Sequence, residues 1–268
     1  MVSPLLENSS MVTAVYRYIR KLFTVRLREN IDGHLKYYFV LVTCYAGVFL
    51  GSQISSIKLV SVYGLTMTGS FFVCPTLYIF ISVISEVYGY KNARLAVWCG
   101  FLLSAIFIFI VNIVGLMPAS PVWTEGEAYN TVLILGTRSV AASFVSTFLT
   151  DFIAIYMMAR NRLRFLGRSL PQRIFKATLA AVLIEIISYI GLAYYGVISN
   201  EALLVLMFFE YIKKILLVLL FFPIILYGVY VFKRLEGIDV FDFETDFNPF
   251  KLDNVYDLEG FRISENSN

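Results

Sequence analysis

The sequence predicts an all-α polytopic membrane protein built as a six-transmembrane-helix bundle. Three observations predict it: composition, six long apolar runs, and basic residues gathered into alternate connections. Apolar residues make up 59% of the 268-residue chain and charged residues 15%, against about 45–50% and 25% in soluble globular chains. Mean hydropathy is +0.75. A helix needs about 20 mostly apolar residues to cross a bilayer. The runs at about 37–56, 66–88, 95–117, 131–158, 174–197 and 203–231 reach that length. They are too long and too uniformly apolar for barrel strands, and a helix satisfies its backbone polar groups within the segment, as lipid requires.

Residues 1–35 are expected to form a cytoplasmic N-terminal segment. Val12, Val15, Tyr16, Ile19, Leu22 and Phe23 recur at helical spacing opposite Arg17, Arg20, Lys21 and Arg28. That pattern predicts an amphipathic helix lying on an anionic leaflet, with membrane lipid as its partner. No basic start, apolar run and cleavage site stand there, so a signal peptide is not expected. Residues 36–234 form the six-helix domain. Residues 235–268, which include "DVFDFETDFNPF", turn acidic and read as a cytoplasmic tail.

Orientation follows from Lys and Arg. Lys91 and Arg94 lie in the second connection, Arg160, Arg162, Arg164, Arg168 and Arg173 in the fourth, and Lys233 and Arg234 after the last span. The other connections offer Lys58 and Arg138 beside Glu125, Glu127 and Glu201. Basic loops stay on the cytoplasmic side, so both termini are placed there, which an even number of spans permits. The net charge of +3 is accounted for by this topology and gives no reason to expect nucleic acid.

Several chemistries are excluded. Cys44, Cys74 and Cys99 each belong to a different span, without metal or redox spacing, and read as small buried packing residues. His34 is the single histidine, which removes multi-histidine metal sites and makes a Ser-His-Asp triad improbable. No "GxxxxGK" phosphate loop occurs. No cofactor and no enzymatic activity are expected.

Ionisable residues inside spans are costly and face the bundle interior, where they mark pathways or sites. In "ISVISEVYGYKNAR", Ser82, Ser85, Glu86 and Gly89 share one helical face. Glu86 is expected to enter a cavity, Gly89 to allow a tight turn, and Lys91 and Arg94 to anchor that turn; Arg94 reads equally as a topology determinant or a ligand contact. The fourth span carries Ser139, Ser143, Thr147, Thr150 and Asp151 below Arg138, and the fifth Thr178, Glu185, Ser188 and Tyr189. The sixth carries Glu210 and Lys214 one turn apart, then Pro223 and Tyr227. Small and hydroxylated residues also pack helices together, and Glu210 and Lys214 can simply pair.

With these residues in view, the chain resembles the vitamin-uptake-like family of queuosine precursor transporters, six-helix bacterial proteins. The family pattern Asp-x-x-Ser/Thr-Glu-x-Tyr-Gly-Tyr-x-x-Ala-Arg is met by Ser85, Glu86, Tyr88, Gly89, Tyr90, Ala93 and Arg94. Lys58 after "GSQISSIK", Pro75, "MPASPVW", "TRSVAASF", Asp151, Thr178 and "EYIKK" continue it in register from about 40 to 250. Gln53 stands where the family has Asn, and Ser82 and Glu185 where it has Asp. The resemblance implies uptake of 7-deazaguanine bases, such as the 7-cyano or 7-aminomethyl form, across a bacterial inner membrane. Gln53, Ser82, Glu86, Tyr88, Arg94, Arg138, Asp151, Glu185, Tyr189 and Lys214 are the substrate-binding candidates it suggests. A carboxylate can accept two adjacent N–H groups of a guanine-like edge, and tyrosines can stack on the ring. Two other readings stay open. One is a substrate-capture subunit of an energy-coupling-factor type transporter, needing a separate ATPase module. The other is an intramembrane enzyme using Glu86 or Asp151, disfavoured because no nucleophile–base pair is visible. A second copy of the chain is a further candidate partner.

Overall fold

The computed structural model describes residues 36–251, apart from 57, 63–64, 121, 134–136, 166–168, 238–239, 241 and 243–244. The expected N-terminal amphipathic helix and the distal tail lie outside the described residues. In chain order the elements are α1 (Tyr38–Ser55), β1 (Leu59–Val62), β2 (Leu65–Thr68), a 3-10 turn (Gly69–Phe72), α2 (Cys74–Gly115), α3 (Gly126–Leu133), α4 (Thr137–Arg164), α5 (Leu170–Tyr194) and α6 (Asn200–Glu236). Among the described residues, α1, α2, α4, α5 and α6 are long and apolar enough to cross a membrane.

The second and third apolar runs belong to one helical element, α2, of 42 residues. Its regular backbone breaks at Gly89, where φ is 80° and ψ is 177°, a left-handed conformation open to glycine and strained for other residues. Contacts on either side show that the chain reverses there. Before the break, Tyr78 meets Glu185 and Glu86 meets Arg173, so the first arm runs antiparallel to α5. After it, Tyr38 bonds Asn92 and Tyr45 lies against Gly100, so the second arm runs parallel to α1. Its pairings of Trp98 with Phe152 and Phe101 with Phe144 make it antiparallel to α4. Gly89 is thus a hairpin between two antiparallel arms. The described chain enters and leaves at one end of the bundle, where the Tyr37 N–H donates to Glu236 Oε1 at 2.8 Å. This is called the terminal end below, and the Gly89 hairpin lies there too, since Tyr88 also donates to Glu236.

The core lies where the first arm of α2 meets its neighbours, around Tyr45, Phe49, Tyr88, Ile155, Ile174 and Val229. Large apolar side chains such as Phe109, Ile187 and Leu220 point outward, as a lipid-facing surface requires.

Two expectations are corrected. The chain is not wholly helical: β1 and β2 form an antiparallel hairpin with Leu59 opposite Thr68 and Val62 opposite Leu65. Residues 66–68, expected to open the second span, are therefore strand, and helix starts only at Cys74, with Pro75 in its first turn. "LTMT" alternates β-branched threonines with larger apolar residues, a strand period that mean hydropathy conceals. In the fourth run, 131–133 belong to α3 and the long helix is described from Thr137.

Candidate functional site

Five helices place polar groups in the bundle interior. The Tyr45 hydroxyl, from α1, donates to Asp151 on α4. Gly100 makes room for it, since a Cβ there would lie 2.8 Å from Tyr45 Cε1. Tyr78, from the first arm of α2, donates to Glu185 Oε2 at 2.7 Å, and Lys214 Nζ, from α6, donates to Glu185 Oε1 at 2.5 Å. Asp151 and Glu185 are near enough for their charges to interact, which joins the two pairs into one cluster. Ser146 donates to the Glu185 carbonyl at 2.9 Å and accepts from Ser188 at 2.8 Å, pinning α4 to α5 beside it.

The same interior holds polar atoms that the protein does not satisfy. Both side-chain polar atoms of Gln53 and the hydroxyls of Ser82, Ser85 and Thr150 are buried without a hydrogen-bond partner among the described residues. An unsatisfied buried donor or acceptor costs about 1–3 kcal/mol, so such groups call for an explanation. Gln53 lies on the buried face of α1 two turns beyond Tyr45. Ser82 is one turn beyond Tyr78, and Thr150 precedes Asp151.

Glu86 has different company. Arg173 grips it with both terminal nitrogens, at 3.2 Å to Oε1 and 3.3 Å to Oε2. Arg162 reaches its carboxylate at 3.9 Å and its backbone carbonyl at 2.8 Å, and Lys233 stands at 3.7 Å. A carboxylate buried in the bundle is retained because three cations neutralise it. They come from α4, α5 and α6, so this cluster ties three helix ends to the Gly89 hairpin.

The remaining candidates are scattered. Tyr88 donates to Glu236 Oε1 at 2.7 Å, in the terminal-end network. Arg94 donates to the carbonyls of Asp246 at 3.2 Å and Asn248 at 2.7 Å, in the tail. Arg138 donates to the carbonyls of Leu192 and Tyr195 at 2.8 and 2.5 Å, satisfying the last turn of α5 as a C-terminal cation does. Tyr189 packs edge-on against Tyr194 at 6.3 Å and is near enough to Glu185 and Lys214 to feel their charges, so it borders the cluster, whereas Tyr227 faces outward. Glu210 pairs with Lys213 instead of Lys214. Of the cysteines, only Cys74 is buried.

The structure therefore brings Asp151, Glu185 and Lys214 together and sets Glu86, Tyr88 and Arg94 apart from them. Sequence reasoning missed Tyr45, Tyr78, Arg162, Arg173, Glu236 and Asp242. The i, i+4, i+8 row Tyr78, Ser82, Glu86 was a usable signal. Arg162 and Arg173 gave none, because cations near span ends already serve to set topology.

One ammonium, two carboxylates, two phenols, an amide and free hydroxyls form a hydrogen-bonding interior. They lack the ordered nucleophile–base geometry of catalysis. Among the described residues no group of three or more His, Cys, Asp and Glu could hold a metal. Comparison finds no match among curated proteins and none among solved structures. A family model described as "Putative vitamin uptake transporter" matches residues 68–228, more than half of the chain and all of α2 to α5. Apolar spanning helices around a polar interior, and this match, lead to one identification: the chain belongs to that family of multi-pass membrane transporters of small molecules and is not an enzyme.

Proposed function

We propose that the protein imports a queuosine precursor, a 7-deazaguanine base, through the Asp151–Glu185–Lys214 cluster. The observation that carries this reading is the Asp151–Glu185–Lys214 cluster, in an interior where the amide of Gln53 and the hydroxyls of Ser82 and Thr150 are buried without a hydrogen-bond partner among the described residues. An amide presents one donor and one acceptor side by side, the complement of a lactam edge. Glu185 and Asp151 accept the ring and exocyclic N–H groups, Lys214 donates to the carbonyl oxygen, and Tyr45 and Tyr78 border the ring. A few converging polar groups in an otherwise apolar interior are what a small-molecule site uses to fix orientation. Glu86, Tyr88 and Arg94 close the terminal end and do not touch the cargo.

The same proposal includes six membrane crossings, the two arms of α2 counting separately. The second arm spans about 39 Å and the first about 22 Å, against a hydrocarbon core of roughly 30 Å. The β1–β2 hairpin and 3-10 turn extend the shorter arm at its outer end. The terminal end, rich in Arg and Lys, lies in the cytoplasm of a bacterial cell, with the domain spanning 36–234.

The test is rescue. A strain unable to synthesise deazaguanines expresses the chain, receives either base, and is assayed for queuosine in tRNA. Restored queuosine that is lost in Glu185→Gln and Gln53→Ala supports the reading. No queuosine with well-inserted wild-type protein overturns it.

A further inference from the structure

The tail beyond α6 is built into the transmembrane domain. The break at Gly89 makes Tyr90 the first residue of the second arm, and its N–H has no acceptor one turn back. Asp242 supplies one, its carboxylate oxygens lying 3.0 and 3.1 Å from the Tyr90 nitrogen. It is a helix cap contributed from 152 residues away. The tail then climbs the arm along Tyr90, Arg94 and Trp98, spaced four apart. The Tyr90 hydroxyl donates to the Phe247 carbonyl at 2.9 Å, Arg94 to those of Asp246 and Asn248, and the Trp98 indole to that of Pro249 at 2.7 Å. Phe247 wedges between Tyr90 and Tyr156 of α4, ring centroids 5.0 and 5.6 Å away, and Phe250 meets Trp98.

We propose that Asp242 and residues 245–250 are a detachable clasp, holding the second arm of α2 against α4 and keeping the terminal end shut, with Asp242 as its positioning residue. The described part of this segment has no helix or strand of its own. It is held by side chains reaching its carbonyls and by two phenylalanines, so it comes away without unfolding anything else. Each described helix, in contrast, keeps its own backbone hydrogen bonds. When the clasp lifts, Tyr90 loses its cap and Arg94 its tail acceptors. The arm beginning at Gly89 is then free to swing, and Glu86 with its three cations meets water.

The test needs no cargo. Ser85, buried next to Glu86, becomes the reporter through Ser85→Cys, in full-length protein in nanodiscs with exposed Cys44 and Cys99 replaced by Ser. A small hydrophilic methanethiosulfonate reagent labels it, and mass spectrometry follows the labelled peptide. Asp242→Ala should speed labelling at least about fivefold. A disulfide between Tyr156→Cys and Phe247→Cys should slow it at least about fivefold relative to either single cysteine. The locked chain decides alone if Asp242→Ala does not fold. Equal labelling with and without the lock overturns the proposal, as does failure of the pair to crosslink under oxidant. Uptake of the aminomethyl base by the locked chain, lost when locked and regained on reduction, is a separate readout. If the unlocked parent fails to take up that base while the labelling result holds, the choice of cargo falls and the clasp stands.

Discussion

Glu86 and Glu185 are buried acids set against basic side chains, on neighbouring helices, yet their surroundings differ in kind. Glu86 and Arg173 are each 1% exposed, and two more cations surround the pair. Glu185 and Lys214 are 16% and 14% exposed, one cation to one acid, with a second acid near by and unpartnered Gln53, Ser82 and Thr150 in the same interior. In the first arrangement both carboxylate oxygens face cations, and the pairing holds helix ends together. The second is unsaturated, with hydrogen-bonding capacity left over for something else. Charge inside a membrane marks function only when its environment leaves it something to do.

Breaking each acid should separate the two. Glu86→Ala removes the carboxylate that the buried Arg162 and Arg173 face, and loss of one partner from a buried pair costs about 3–5 kcal/mol. The expected result is loss of monodisperse protein and a fall in the unfolding midpoint, with uptake disappearing as a consequence. Glu185→Gln keeps the shape and one accepted hydrogen bond, from Lys214, while the Tyr78 hydroxyl turns to accept from the new amide. It should reduce deazaguanine uptake at least about a hundredfold, as loss of a roughly 3 kcal/mol charge-assisted contact implies, while the midpoint moves little. Equal loss of stability in both variants would erase the distinction.

Finer substitutions sharpen it. Gln53→Ala removes two unsatisfied buried groups, so uptake should fall about tenfold while stability holds or rises, measured by transport and thermal unfolding on one preparation. Gly100→Ala pushes a methyl onto Tyr45 and should cost about 1–3 kcal/mol. Uptake should fall with it if Tyr45 orients Asp151, and Tyr45→Phe should then reproduce the uptake defect without the instability. Arg138→Met removes only a cation at the end of α5. About 0.3–1 kcal/mol of stability and almost no transport should go with it.

Much of the bundle was legible in the sequence, because lipid demands long apolar helices and tolerates few alternatives. The Gly89 reversal was legible too, since a glycine followed by Lys91 and Arg94 ends an apolar run abruptly. The β1–β2 hairpin was not, because Leu65 and Met67 look the same to a hydropathy average in strand or helix. The pairing of acids with cations was less visible still. Glu86 finds Arg173 across 87 residues and Tyr45 finds Asp151 across 106, and sequence spacing carries no trace of which helices become neighbours. Lys214 illustrates the limit. Glu210 is one turn away and looks like its partner, yet packing against α5 gives it Glu185 instead. The docking of the tail was not legible either, because it relies on backbone carbonyls and two phenylalanines, which carry no spacing signal.

The cap that Asp242 places on Tyr90 also sets an order of events in biogenesis. A ribosome delivers Tyr90 and Arg94 long before it delivers Asp242, so the newly inserted α2 hairpin must wait with an open helix start and an arginine lacking its tail acceptors. Only the later arrival of Asp242 closes it. A message truncated after Glu236 would therefore yield a chain with the described long helices in place and the start of the second α2 arm still uncapped.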